Sequence, residues 1–333
     1  MSKIAIVGAG SWGTALACVL SQKGHSVQIW AFEPEVVKSV NSTRTNPLFL
    51  PEVTLPDRIR AYDSLAGCLH GAEIVIVAVP SHHFANVFES LLPSVKSEMT
   101  FVSATKGLEN HTLRRMSQIM ESLLPRHSHA RLAAISGPSF AKEVAKGEPA
   151  ALVVASRERS VAEWIQQEFS GPSLRLYTSC DLIGVELGGS VKNVIAIAAG
   201  VLTGVGLGSN AMAALITRGL AEMTRLALAC GARRETLSGL AGIGDLVLTC
   251  TGALSRNRTV GVKLGQGQKL EEIVRGMRMV AEGILTTRAT LQLADLHRVE
   301  MPIARQMDLV LHQGKAPRDA IRELMERPLK EEA

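Results

Sequence analysis

Near its start the chain reads KIAIVGAGSWG, an apolar run that meets three glycines, Gly8, Gly10 and Gly13, in G-x-G-x-x-G spacing. SWGTALACVLSQKGH follows with helical spacing and stops near Gly24. A strand, a glycine turn and a helix in immediate succession leave few folds open. The first glycine permits the tight turn, the second lets backbone approach a pyrophosphate, and the third lets helix pack on strand. The helix N-terminus then offers unpaired N–H groups and a positive partial charge to phosphate. This predicts a dinucleotide site at the front of the chain, Gly8, Gly10 and Gly13 forming its floor. A glycine turn without a ligand is the plainer alternative.

The same alternation continues. SVQIWAF, AEIVIVAVP (72–80), TFVSATKG (100–107), RLAAISGPS (131–139), ALVVAS (151–156) and LRLYTS (174–179) are β-rich apolar runs, most of them closed by Pro, Gly or polar turns. Helical segments such as HFANVFESLLPSV and LRRMSQIMESLL lie between several of them. Strand and helix in alternation predict a parallel sheet covered on both faces. After about Asp181 the strand signals fade, and AALITRGLAEMTRLALACG, LEEIVRGM, LTTRATLQLADLH and PIARQMDLVLHQG all have helical spacing. The expected architecture is a doubly wound, Rossmann-type α/β domain over 1–185 followed by an all-α domain over 186–333. The boundary rests on the change of period alone.

Composition narrows the function. The 333 residues carry a net charge of +5 with no basic run of five, and aromatics are 4%. A nucleic-acid groove needs clustered cations and stacking rings, so no nucleic-acid partner is expected. The cysteines at 18, 68, 180, 230 and 250 are odd in number, widely spaced and without a C-x-x-C. They read as small buried residues of a reducing compartment; no disulfide framework or metal site is expected. GVELGGSVKNVIAIAAGVLTGVGLGSN (184–210) is apolar enough to suggest a membrane span, but its glycines and Lys192 favour a buried core helix ending in a glycine-rich loop. No membrane insertion is expected.

Lys192 is the one charge in that stretch after Glu186, and a lysine is rarely buried without a partner or a task. It sits where the two halves should meet. Ligands of such sheets bind beyond the carboxyl ends of the strands, where Pro80, Ser81, Lys106 and Gly137-Pro138-Ser139 fall. In the helical half Asp245 is the only charge between Glu235 and Arg256, and Ser255, Arg256, Asn257 and Arg258 cluster just after it. An acid in apolar surroundings caps a helix or pairs with a cation; arginine grips phosphate oxygens with a planar fork. Together they suggest hydride delivery to a carbonyl, with Lys192 giving the proton, Asp245 orienting it and the Ser-Arg-Asn group anchoring a phosphate. Each also has an ordinary reading as a snorkelling lysine or a solvated turn. Glu33 lies 20 residues after Gly13, where an acid takes ribose hydroxyls; neither it nor Phe32 brings positive charge for a 2′-phosphate.

GAGSWGTALA, SATKGLE, SGPSFAKEVAKGEPAA, GGSVKNVIAIAAG, GLAGIGDLVLTCTGALSRNRTVG and VAEGILTT together resemble bacterial NAD(P)-dependent glycerol-3-phosphate dehydrogenase, over nearly the whole chain. The resemblance implies interconversion of dihydroxyacetone phosphate and sn-glycerol 3-phosphate with NAD or NADP, feeding phospholipid synthesis, in a cytoplasmic and often dimeric enzyme. It implies Lys192 as general acid/base. It implies a substrate site of Lys106, Gly137, Ser139, Lys192, Asp245, Ser255, Arg256 and Asn257. It implies cofactor contacts from Ser11, Trp12, Lys106, Ala141, Arg256, Val280 and Glu282. Many relatives have an arginine near where this chain has Phe32, which leaves the coenzyme open. A β-hydroxyacid dehydrogenase acting on a carboxylate, and a dinucleotide-binding module without turnover, are the competing readings.

Overall fold

The computed structural model describes residues 1–125, 130–277, 279–329 and 331–332. Its strands are β1 Lys3–Val7, β2 Ser26–Trp30, β3 Thr45–Asn46, β4 Leu50–Thr54, β5 Ile59–Tyr62, β6 Ile74–Val77, β7 Thr100–Ser103, β8 Arg131–Ser136, β9 Ala150–Ala155 and β10 Leu174–Ser179. Helices α1 Ser11–Gln22, α2 Pro34–Thr43, α3 Leu65–Leu69, α4 Phe84–Leu91, α5 Met116–Leu123, α6 Ala141–Ala145 and α7 Arg159–Phe169 alternate with them. From there the described residues form helices only: α8 Leu182–Val205, α9 Ser209–Ala229, α10 Arg234–Leu237, α11 Asp245–Thr251, α12 Arg256–Gly265, α13 Leu270–Arg275, α14 Glu282–Leu296, α15 Pro302–His312 and α16 Pro317–Met325.

Eight strands form one sheet in the order β10-β9-β8-β7-β6-β1-β2-β5. Side chains alternate across it, as a two-residue period demands. Ile4 and Ile6 of β1 pack with Leu16, Ile165 and Phe169 on the face of α1 and α7. Ala5 and Val7 pack with Phe84, Phe88, Met116 and Ile119 on the face of α4 and α5. The sheet departs from the expected all-parallel form at one place: β8 and β9 are antiparallel, Ala134 facing Ala155 and Ser136 facing Val153. A parallel neighbour needs a crossover that returns the chain to the other end. Here the connection holds only the five-residue α6, which packs on α1, and the chain re-enters the sheet from the end it left. β9 and β10 are parallel to each other, so both run opposite to the other six strands.

α8 is the axis of the second half. Its composition matches a membrane span in length and apolarity, yet 94% of its most apolar window is buried inside the protein. Val194, Ile195, Ile197 and Val201 lie at the centre of an apolar cluster with Met223, Leu226, Val260, Ala289 and Met307. α12 crosses it closely because glycines face each other: a Cβ at Gly200 would stand 2.0 Å from Arg258 O, and one at Gly261 would stand 2.0 Å from Ile197 O. α8 ends at Gly206 in the left-handed region (φ 90°), as the expected glycine-rich stop implies.

Two buried acids fix helix positions. Glu186 of α8 accepts from Arg115 Nη1, Ser117 N and Ser117 Oγ, which ties α8 to the start of α5. Glu222 of α9 accepts from Ile303 N (2.7 Å) and Ala304 N (3.3 Å) and so caps α15. Burial pushes the Glu222 carboxyl up to about 7, against those N–H bonds and the charges of Arg225 and Arg327. Cys18, Cys68 and Cys250 are buried as expected; Cys230 is half-buried and Cys180 is exposed, since it lies in the turn between β10 and α8.

Candidate active site at the seam between sheet and helices

The glycine turn fits a dinucleotide. Gly8 has φ 116°, and a Cβ there would stand 2.7 Å from Ala78 O; a Cβ at Gly13 would stand 1.9 Å from Gly8 O. Both positions therefore exclude side chains. Gly10 is different: a Cβ there would meet open space, and as the N-cap of α1 it leaves the helix end without a side-chain cap. Asn46 braces the turn through Nδ2 to Ala9 O (2.8 Å) and Thr14 Oγ1 (2.9 Å). Ser11 Oγ donates to Phe49 O at 2.7 Å and lies 3.1 Å from Met279 Sδ. Trp12 Nε1 is buried with no partner among the described residues, a donor of the kind a bound group satisfies. Glu33 stands at the end of β2 as the N-cap residue of α2, its side chain making no cap bond.

Across the seam, three charges meet. Lys192 is 5% exposed and Asp245 1%. Lys192 Nζ donates to Asp245 Oδ1 and to Thr249 Oγ1 at 2.9 Å. Lys106 Nζ donates to the other oxygen, Oδ2, at 2.8 Å, and to Gly137 O at 2.9 Å, with Ser139 Oγ 3.5 Å away. Thr249, one turn along α11, donates to Asp245 O at 2.6 Å. Local structure makes this possible. A π-helical turn, Leu240–Gly244, delivers Asp245 to the start of α11, and Gly188 of α8 gives it room, since a Cβ there would stand 2.4 Å from Ala241 O.

The electrostatics follow from the geometry. Burial pulls the Lys192 ammonium down to about 8; Asp245 opposes that and the nearby Lys106 charge adds to it. Burial disfavours the Asp245 carboxylate too, but the two lysines outweigh it and hold its pKa below the usual range. One carboxylate between two ammoniums leaves the trio with a net positive charge, suited to an oxygen that becomes negative.

A second group adjoins it. Asn257 Nδ2 donates to Asn193 Oδ1 (2.9 Å), and Asn257 Oδ1 accepts from Gly283 N (2.9 Å). Asn193 follows Lys192 on α8, and its Nδ2 lies 3.4 Å from Lys106 O. Ser255 caps α12, its Oγ accepting from Arg258 N at 3.2 Å. Arg256 is exposed, and its Nη1 donates to Val280 O at 2.9 Å. Glu282 accepts from Ser81 N (3.0 Å) and Ser81 Oγ; burial raises its pKa, against those two bonds and Arg256. Ala141 opens α6, two residues beyond Ser139. Direct contacts thus join Lys106, Gly137, Ser139, Lys192 and Asp245, while Asn257, Arg256, Val280 and Glu282 line an adjoining wall. Ser11 and Trp12 belong to the glycine turn, which meets the helical half at Met279. Sequence reasoning passed over Thr249 and Asn193. The signals were there: Thr249 is four residues after Asp245, one helical turn, and Asn193 is next to the buried lysine.

The sequence matches the family described as NAD-dependent glycerol-3-phosphate dehydrogenase in both its parts, N-terminus over residues 3–162 and C-terminus over 181–322. It is 58% identical to glycerol-3-phosphate dehydrogenase [NAD(P)+] of Koribacter versatilis, covering 98% of each chain. It is 52% identical to the enzyme of that name from Geobacter sp. strain M21, covering 99% of this chain and 98% of the relative. The crystal structure of glycerol-3-phosphate dehydrogenase from Coxiella burnetii superimposes with a TM-score of 0.94 at 41% identity, covering 98% of this chain and 99% of that one. With relatives this similar along its whole length and a glycine turn facing a buried lysine–aspartate trio, the chain belongs to the NAD-dependent glycerol-3-phosphate dehydrogenase family.

Proposed function

We infer that this chain is an NAD(P)-dependent oxidoreductase that interconverts dihydroxyacetone phosphate and sn-glycerol 3-phosphate. The observation that carries the reading is Lys192, buried between the halves and bonded to Asp245, in a chain 58% identical to an enzyme of that name. The nicotinamide coenzyme supplies the hydride when bound. Gly8, Gly10, Gly13, Ser11 and Trp12 hold its pyrophosphate end; Ala141, Val280, Glu282, Lys106 and Arg256 border the rest. At neutral pH Lys192 Nζ carries its proton, since its pKa lies near 8. It delivers that proton to the substrate oxygen that turns from carbonyl to hydroxyl. Lys106 Nζ offers a second positive charge to the same oxygen, and Asp245 keeps the two ammoniums from drifting apart. In the reverse direction neutral Lys192 takes the hydroxyl proton. Arg256 grips the substrate phosphate, while Gly137, Ser139, Ser255 and Asn257 shape the pocket around it.

The domain division at residues 185/186 stands as part of this reading, although the boundary lies within α8 and the last strand ends at Ser179. So do a homodimer, a cytoplasmic site of action and the supply of glycerol 3-phosphate to phospholipid synthesis.

The test is oxidation of NADH or NADPH by the purified protein on addition of dihydroxyacetone phosphate. Lys192→Ala should lose roughly 100-fold or more in kcat, the scale of general acid catalysis, and retain coenzyme binding. Full turnover in that variant, or turnover of a hydroxyacid in place of the triose phosphate, would refute the assignment.

A further inference from the structure

The carboxyl end of β2 lies beside the glycine turn, with Gly8 N donating to Trp30 O and Ala31 N to Tyr62 O of β5. Beyond these strands the chain places Glu33, Glu35 and Asp63. No cation answers them locally. The first lysine or arginine after Lys23 is Lys38, in the second turn of α2. Arg44, past the far end of α2, is bonded to Asp57 at 2.7 Å, and Arg60 lies back along β5 opposite Gln28.

The N-terminus of α2 would ordinarily attract an anion, but here it has little to give. Pro34 has no N–H, and the N–H groups of Val36 and Val37 already donate to Glu33 O. Phe32 is 80% exposed and held edge-on to Trp30, ring centroids 6.4 Å apart. It thus presents an uncharged aromatic face beside Glu33.

We propose that Phe32 and Glu33 select the coenzyme, and that this enzyme uses NADH in strong preference to NADPH. The proposal rests on the dinucleotide-dependent reduction inferred above and specifies its coenzyme. Glu33 accepts from ribose hydroxyls. A 2′-phosphate brings a charge of roughly −1.5 to −2, and would meet carboxylates, an uncharged ring and a helix end where Val36 N and Val37 N already donate to Glu33 O. It would find neither an arginine fork nor a free row of N–H groups.

The experiment compares kcat/KM for NADH and NADPH at fixed dihydroxyacetone phosphate, and separately titrates each coenzyme against the protein's tryptophan fluorescence without substrate. NADH should be favoured roughly 100-fold in both, the size of discrimination against a substrate group that meets the wrong polar surroundings. Phe32→Arg and Glu33→Ser should each narrow the ratio by raising efficiency with NADPH, most clearly at low salt. Equal constants, or NADPH favoured, would overturn the proposal. Tight NADH binding without reduction of the triose phosphate would uphold the coenzyme preference and count against the reaction instead. Failure to bind either coenzyme would overturn both.

Discussion

Replacing Gly200 with alanine tests whether the crossing of α8 and α12 is as close as the glycines imply. The new Cβ would stand 2.0 Å from Arg258 O and 2.8 Å from both Gly261 Cα and Val262 N. Packed atoms sit about 3.5 Å apart or more, so the helices must separate by roughly 1 Å. The obstructing atoms are backbone, and no side-chain rotation relieves them. Overpacking of this kind costs about 1–3 kcal/mol, and a backbone clash belongs at the upper end. Alanine returns up to about 1 kcal/mol through helix propensity, so a net loss near 2 kcal/mol remains. For a chain of this size that lowers Tm by roughly 3 °C. Gly171→Ala, in a turn where a Cβ meets open space, should stay within about 0.5 kcal/mol of the parent. α12 also carries Arg256 and Asn257, the latter bonded to Asn193 of α8. Displacing it should therefore raise KM for the triose phosphate together with the loss of Tm. Calorimetry and initial rates on the same preparations give both readouts. A Gly200→Ala protein with parental Tm and KM would refute the argument from helix spacing.

Other consequences follow from the buried charges. Reduction needs the Lys192 proton, so its kcat/KM should fall as pH rises through about 8, while the oxidation direction should gain; Asp245→Asn removes the charge that raises the lysine's pKa and should move that limb to lower pH. Glu186→Gln strips the partner of buried Arg115 and should cost about 3–5 kcal/mol in urea unfolding, whereas replacing both residues by apolar ones should cost less. Glu222 binds its proton more tightly folded than unfolded, its pKa rising from 4.5 to about 7. The stability this gives is present below pH 4.5 and is lost as pH rises through about 7. Glu222→Gln should flatten that decline, and an unchanged stability profile between pH 5 and 8 would count against it.

Most strands of the sheet were legible because they are buried on both faces, and such strands read as continuous apolar runs. β5 was not, since IRAY is an edge strand with a buried–exposed alternation. The β3–β4 hairpin was missed too, as LPEVT carries a proline and a glutamate with only Leu50 and Val53 buried. The reversal at β9 also escaped, because its side chains are as apolar as those of a parallel strand and direction leaves no trace in composition. At the site, Lys192 and Asp245 stood out as isolated charges. Their pairing is 53 residues apart in sequence, and Ser81 meets Glu282 across 201 residues. Long-range partners of that kind come from packing, which periodicity cannot encode. Ser255 and Asn257 show the limit from the other side, since their side chains are engaged in capping α12 and bridging to Gly283.

The reversal at β9 decides where Lys192 arrives. Six strands point their carboxyl ends toward the crevice, so β10, running the other way, releases the chain at the floor of the domain. α8 then climbs. Its first turns pack with Ala134 in the middle of β8, and Gly189 reaches Ser136 at the strand's end. Lys192 lies ten residues above Leu182, about 15 Å of helical rise, which lifts it level with the mouth. Had the last two strands kept the common direction, the chain would have left from the rim, and the same helix would have carried its ammonium away from the crevice.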